Sequence, residues 1–175
     1  MEKKIKLDHN TLNSILEKQC LYHTSEGKLG KLADLSAYII EEFDFSQMHL
    51  SDIIAIGSVF IRCKFINCEL YGTIFDESKF ITVNFKNSNL GKAQFYGVEA
   101  KNACFDDTNC SSAEFDESNL SGATFRNANL RGTSFTDCDL SNAVFDGADL
   151  EYASIVNNIE YGTSWKNVKA INIVS

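Results

Sequence analysis

Proline is absent from this sequence, and no long apolar run interrupts it. Without proline a rigid linker is not expected, and every residue keeps its backbone N–H for hydrogen bonding. The longest mainly apolar run, residues 53–61, is far too short to cross a bilayer. The early lysines Lys3, Lys4 and Lys6 are followed by polar residues, which argues against a signal peptide. We therefore expect a single-domain cytoplasmic protein with no membrane partner.

Residues in catalytic or metal-binding arrangements are also lacking. The six cysteines include no Cys-x-x-Cys pair, and the three histidines have no acidic partner at ligand spacing. The sequence contains no Gly-x-Ser-x-Gly, no glycine-rich phosphate loop and no His-Glu-x-x-His. Most cysteines fall on the interior positions described below, where they are interpreted as small buried side chains. We expect no catalytic residue, no cofactor and no metal, and hence a protein that is not an enzyme.

Basic residues are too few to balance the acidic ones. The net charge is −8, and residues 35–155 hold 18 Asp or Glu against 8 Lys or Arg. An acidic surface repels the phosphates of nucleic acids and of anionic lipids. Direct nucleic-acid binding is therefore not expected.

A period of five residues dominates what the sequence does contain. From Leu35 to Ile155 every fifth residue is large and apolar with few exceptions, and no insertion interrupts the count. Two positions earlier, from Cys63 to Ala148, stands a smaller residue. A spacing of two puts both residues on one side of an extended stretch, whereas neither a helix nor a plain strand has a period of five. The repeat therefore predicts short extended sides joined by tight polar corners, stacked as a solenoid.

These units resemble the pentapeptide repeat family, whose motif is small–polar–Leu/Phe–polar–polar. Good matches are Ala33-Asp34-Leu35-Ser36, Ala123-Thr124-Phe125, Ala128-Asn129-Leu130-Arg131-Gly132 and Ala148-Asp149-Leu150. The resemblance implies an all-β solenoid, a right-handed quadrilateral parallel β-helix with four units in each 20-residue coil. About six coils and an N-terminal helical cap are expected for this chain.

The sequence itself favours four sides. Bulky residues that lie twenty positions apart are all phenylalanine in one series and mainly leucine in another, as a stack of like side chains requires. The first series is Phe45, Phe65, Phe85, Phe105, Phe125 and Phe145, and the second is Leu50, Leu70, Leu90, Cys110, Leu130 and Leu150.

The repeat is expected to occupy residues 33–157, with a different segment at each end. Residues 1–32 predict a helical cap, begun by Asp8 or Asn10 and carrying an apolar stripe of Leu12, Ile15 and Leu16, which Leu21 can extend. The alternative for this helix is binding of a partner. Both ends of a solenoid expose core and unpaired strand edges, so caps are needed.

Residues 158–175 are predicted to be a C-terminal cap or a dimerisation segment. The pattern breaks there, yet apolar side chains persist. They could cover the last coil or pair with a second copy around a two-fold axis, as the resemblance also implies. The candidate dimer contacts are Trp165, Val168, Ile171 and Ile173.

One side of the predicted coil has no Lys or Arg. It is built from residues 53–57, 73–77, 93–97, 113–117, 133–137 and 153–157. Its acids serve either to keep the protein soluble or to dock a basic partner. They are Asp76, Glu77, Glu114, Asp116, Glu117 and Asp137.

Two functions follow from these features. The first is a non-enzymatic interaction or scaffold module for a protein partner whose identity the sequence does not give. The second is implied by the resemblance, since some pentapeptide repeat proteins are acidic dimeric rods that mimic DNA and occupy the DNA site of gyrase. The charge of this chain, roughly one per 3 Å of rod against one per about 1.7 Å of duplex DNA, favours the first function.

Overall fold

The computed structural model describes residues 4–170, which form one helix and a continuous coil of short parallel strands. The strands are two to four residues long because each side of the coil is only one repeat unit in length. The elements in chain order are β1 Ile5–Lys6, α1 His9–Thr24, β2 Tyr38–Glu41, β3 Val59–Ile61, β4 Lys79–Ile81, β5 Ser134–Thr136 and β6 Ser154–Val156.

Residues twenty apart lie next to each other throughout the coil. β1, β2, β3 and β4 pair in that order in one parallel sheet, and β5 pairs with β6. Single parallel bridges continue the pairing on every side, from Asp34↔Ile54 to Asp149↔Lys169. The predicted fold class, a right-handed quadrilateral parallel β-helix, is therefore confirmed. The division of the chain at residues 32 and 157 stays a prediction, and the bridges extend beyond 157.

The corners of the coil share one backbone conformation. Every fifth residue from 37 to 167 has a positive φ, between 52° and 77°. Glycine occupies seven of these corners, including Gly57 and Gly97, and asparagine and aspartate occupy many others. These residue types enter the left-handed region at the least cost, which explains their recurrence at this position.

Stacked phenylalanine rings fill the interior. Within one series Phe45 and Phe65 lie 4.5 Å apart between ring centroids at 4°, and Phe125 and Phe145 lie 4.9 Å apart at 1°. The neighbouring series, which includes Phe115, meets this one edge to face. All of these rings are fully buried. Burial of a phenylalanine side chain stabilises the fold by about 1.5–3 kcal/mol, and offset or edge-to-face pairs add to it.

The small interior positions carry hydrogen bonds as well as volume. Where the residue is Ser or Cys, its side chain donates to the carbonyl of the bulky residue 23 positions earlier, as Ser118 Oγ does to Phe95 O at 2.7 Å and Cys138 Sγ to Phe115 O at 3.0 Å. Burial raises the pKa of the Cys138 thiol to about 12, so it stays protonated. Cysteine therefore acts here as a buried donor in addition to filling space.

The N-terminal end is covered by α1 and by β1, a strand that the sequence pattern does not indicate. Asp8 begins the helix by accepting from Asn10 N and Thr11 N, both at 3.0 Å. The helix buries Leu12 and Leu16 against the first coil. β1 adds to the edge of β2, which protects that edge from other chains.

A glutamine holds α1 to the first coil. Gln19 is fully buried, its Oε1 accepts from Ala33 N at 2.6 Å, and its Nε2 donates to Ser51 O at 2.9 Å. Leu21, which the apolar stripe would include, is instead 44% exposed. The helix thus docks through two leucines and one satisfied amide.

The interior series continues into the last coil with a change of residue. Trp165 stacks on Phe145 with 4.3 Å between centroids and 13° between planes. Asn158 takes a small interior position, where its Oδ1 accepts from Cys138 N at 2.8 Å and its Nδ2 donates to Phe135 O at 2.7 Å. The coil geometry therefore tolerates residues that break the sequence motif.

A pair of adjacent substitutions tests the interior register. Phe105→Asp should unfold the protein, because it removes a stacked ring, worth about 3–5 kcal/mol, and buries a charge in its place. Cys104→Asp introduces the same charge one residue earlier on the outward surface and should change the free energy of unfolding by about 0.5 kcal/mol or less. Urea unfolding followed by circular dichroism measures both. Equal destabilisation would contradict the register.

Candidate functional site: the acidic side

Outward positions flank each bulky interior residue: the position before it and the two positions after it. On the side that contains residues 53–57, these positions gather all six predicted acids: Asp76, Glu77, Glu114, Asp116, Glu117 and Asp137. The bridge Asp34↔Ile54 adds Asp34 to the same side. Extending the 20-residue register by one coil towards the N-terminus, from residues 53–57 to 33–37, would have predicted Asp34 on this side from the sequence alone. We call this surface the acidic side.

Acids on the other three sides are largely neutralised by basic residues one coil away. Examples are Glu42 with Arg62 at 2.6 Å and Asp106 with Arg126 at 3.4 Å. Within residues 4–170, none of the six predicted acids forms an ion pair. The acidic side therefore presents a concentrated negative field, whereas the other sides present mixed charge.

Two of the acids also hold coils together. Asp76 Oδ1 accepts from Tyr96 N at 3.0 Å. Asp116 Oδ1 accepts from Thr136 N at 2.8 Å and from Ser134 Oγ at 2.6 Å. Each carboxylate satisfies an N–H of the next coil, one residue before the corner, and keeps its second oxygen for other contacts. These two residues combine a structural role with negative charge.

An exposed tyrosine lies between the two main acid pairs. Tyr96 is 44% exposed, one coil from Asp76 and one coil from Asp116. A hydrogen bond to Glu117 and the neighbouring negative charges raise the pKa of the Tyr96 phenol. Burial raises the pKa of Asp76, and the negative charge of Glu77 adds to this effect. The hydrogen bond from the Tyr96 N–H acts in the opposite direction. An aromatic ring bordered by carboxylates suits a cationic side chain.

A shallow groove of about 330 Å³, lined by Glu117, Asp137 and Asn157 among others, borders the acidic side, and other concave surface lies away from it. A groove of about 550 Å³ runs between α1 and residues 47–50, lined by Leu16, Cys20, Met48 and His49 among others. In the part of the chain that the structure describes, no group of three or more His, Cys, Asp or Glu is arranged to hold a metal ion. Over the same residues, no helix is long and apolar enough to cross a membrane.

The candidate dimer contacts lie at the opposite end from the helix. Trp165 and Val168 are half-buried and pack against the core from the last described coil. Ile171 and Ile173 lie outside the described residues. The same coil exposes Ile159 by 60% and Tyr161 by 81%. The last described coil therefore presents exposed apolar side chains.

Comparison with known proteins gives one family match. Residues 78–155 match the family model described as "Pentapeptide repeat region". No curated protein matches the chain.

Solved structures with a similar fold have low sequence identity. QnrB1, a plasmid-mediated fluoroquinolone resistance protein, is 22% identical, with a TM-score of 0.44 over 80% of this chain and 85% of that chain. A pentapeptide repeat protein of the Arabidopsis thaliana thylakoid lumen is 24% identical, with a TM-score of 0.35 over 62% and 69%. HetL of Nostoc sp. strain PCC 7120, involved in heterocyst differentiation regulation, is 19% identical, with a TM-score of 0.29 over 81% and 84%.

The structural role of Asp116 can be separated from its charge. Asp116→Ala should lower the free energy of unfolding by about 1–3 kcal/mol, because the N–H of Thr136 loses its acceptor. Asp116→Asn retains the accepting oxygen and should cost well under half of that. Glu114→Ala, an exposed change on the same side, should be nearly neutral. Thermal unfolding of the three variants checks the order, and equal stability of the Ala and Asn variants would contradict it.

Proposed function

Because the chain is a pentapeptide repeat protein, we propose that it is a non-enzymatic interaction module whose acidic side docks a basic protein partner. The supporting observation is the unequal distribution of charge. Six carboxylates of one side lack ion-pair partners within residues 4–170, whereas most acids on the other sides are paired across coils. Solubility alone would not require the charges to be on one side.

The shape of the rod favours binding over catalysis. Within residues 4–170 the six acids lie on the open outer surface of the rod, and they are not enclosed around a substrate as general acid–base chemistry requires. A partner surface can instead span several coils, which repeat at about 4.8 Å. Complementary charge across such a surface accelerates encounter and selects the partner.

DNA mimicry of the gyrase site is the second candidate, and the one-sided charge bears on it. Duplex DNA presents two rows of phosphates on opposite sides of its grooves. The acidic side presents one row, in which the pair Asp76/Glu77 is separated by two coils, about 10 Å, from the pair Asp116/Glu117. This spacing is wider than that of phosphates. A DNA-binding cleft is shaped for two closely spaced rows of phosphates. The single, wider row of acids therefore suits a basic protein surface of another kind.

Octalysine is a defined probe of the acidic side. The variant Asp76→Asn/Glu77→Gln/Asp116→Asn/Glu117→Gln should bind it about tenfold or more weakly, because the attracting charges are gone. The Asn substitutions keep the acceptors for the next coil, so the melting temperature should change little. Calorimetric titration at about 20 mM and about 150 mM salt measures the affinity, which should fall with salt in the parent protein.

A variant with the same loss of charge elsewhere provides the control. It removes four carboxylates of another side and should retain most of the binding. The substitutions are Glu41→Gln, Glu42→Gln, Glu99→Gln and Asp139→Asn. Equal loss in both variants would mean that only net charge matters and would contradict docking at one side. A gyrase supercoiling assay on the parent and both variants separates the second candidate, since inhibition or protection that depends on the acidic side would favour DNA mimicry.

We also propose that two copies associate through the C-terminal end. Trp165 and Val168 are half-buried on the last described coil, where no further described coil covers them. Pairing two such ends would bury apolar surface and strand edges together.

Sedimentation velocity tests this association. The full chain should sediment as a dimer at tens of micromolar, and Trp165→Ser/Ile171→Ser/Ile173→Ser should sediment as a monomer because the contact is apolar. Tyr161→Ser, which changes an exposed ring on the same coil, should remain dimeric. A monomeric parent protein, or a dimeric triple variant, would disprove the proposal.

A further inference from the structure

Aliphatic side chains occupy outward positions only towards the two ends of the rod. Between residues 82 and 143 no outward position carries Ile, Leu or Val. In the early coils, by contrast, six such residues lie around one corner of the coil, and we call them the aliphatic patch. They are Ile54, Ile56 and Ile74 on the acidic side, and Val59, Ile61 and Ile81 on the next side.

The patch is continuous. Ile54 bridges to Ile74 and Ile61 pairs with Ile81, so like side chains touch from coil to coil. Ile56 is 41% exposed and Ile81 is 48% exposed. β-branched residues suit a strand surface, which accounts for single positions such as Ile66 but not for the grouping of six around one corner. Contiguous exposed apolar surface of this kind is typical of an interaction site.

The charged residues that border the aliphatic patch differ between its two sides. On the next side, cations near it are already paired, as Arg62 is with Glu42 and Lys79 with Glu99. On the acidic side, the patch is followed directly by Asp76 and Glu77, which have no such partner within the described residues. The patch and the acids therefore form one surface, apolar at its N-terminal part and negative further along.

Backbone pairing is not available to a partner at this surface. N–H and C=O groups along the sides are bonded to the coils before and after, as Ile74 N is to Ile53 O at 3.0 Å and Phe75 N to Gln94 O at 2.8 Å. A partner strand therefore has no edge to extend. Recognition must use side chains, as when an amphipathic helix lies on an apolar surface.

We propose that the acidic side and the aliphatic patch together bind a basic amphipathic helix of a partner protein. This proposal rests on the proposed function and specifies its partner. The helix carries aliphatic side chains that cover the patch and Lys or Arg on the same face, one or more turns away, that meet the acids. From Ile54 to Asp116 is three coils, about 14 Å, which corresponds to about ten residues of helix. A DNA-binding surface would need the acids but not the patch.

Two synthetic helices of equal charge test the proposal. One combines leucine and lysine on one face, and the other has alanine in place of every leucine. The parent protein should bind the Leu/Lys helix about tenfold more tightly than the Ala/Lys helix, because only the former covers the patch. In Ile54→Ser/Ile56→Ser/Ile74→Ser this preference should fall to about threefold or less, while the affinity for the Ala/Lys helix stays unchanged.

Matched variants locate the effect. Ile66→Ser/Val144→Ser removes outward aliphatic residues of a different side and should leave the preference intact. The variant Asp76→Asn/Glu77→Gln/Asp116→Asn/Glu117→Gln should bind both helices more weakly than the parent protein. Unchanged melting temperatures exclude unfolding as the cause.

The outcomes separate the two proposals. Equal binding of the two helices by the parent protein, or a preference that survives the isoleucine changes, overturns the role of the patch while leaving the acidic side in place. Failure of both helices to bind overturns the proposed function together with this inference.

Discussion

The left-handed corner is the constraint on which the rest of this structure depends. Every fifth residue from 37 to 167 adopts a positive φ, and for residues other than glycine this conformation costs roughly 1–2 kcal/mol each. The cost recurs at every corner that lacks glycine and is offset by the packing and hydrogen bonding that the turn allows. Each turn directs the bulky and the small residue of every unit inward and aligns the backbone with the next coil, so that rings stack and hydrogen bonds form on all four sides.

This constraint also determines where function can reside. Interior positions are committed to packing, and the left-handed corner restricts the residue types that it accepts. The outward positions on either side of the bulky residue vary freely, and residues twenty apart become neighbours at every outward position, including corner residues such as Glu77 and Glu117. On three sides this neighbourhood is used for ion pairs between coils, such as Lys64 with Asp44 at 4.0 Å. On the fourth it places unpaired acids and the isoleucines Ile54 and Ile74 in line. The proposed binding surface is thus a consequence of the 20-residue register.

Much of the fold could be predicted because the interior pattern repeats without interruption. The stacking of Phe45 on Phe65, and the position of the six acids on one side, both follow from counting in twenties. Features that depend on a single contact could not be predicted in this way. The hydrogen bond from Thr136 N to Asp116 requires knowledge of the corner geometry. β1 is only two residues long, and burial of Gln19 in place of Leu21 depends on how α1 docks.

The proposed interaction joins one side of the rod, with its aliphatic patch, to a basic amphipathic helix. Amide chemical-shift mapping with the Leu/Lys helix tests it most directly, because it reports on every side at once. If the helix binds there, the perturbed amides should recur every twenty residues along the acidic side, at Ile54, Ile74, Gln94 and Glu114, with small changes on the opposite side. Perturbations spread evenly over the four sides, or concentrated in the groove beside α1, would contradict it.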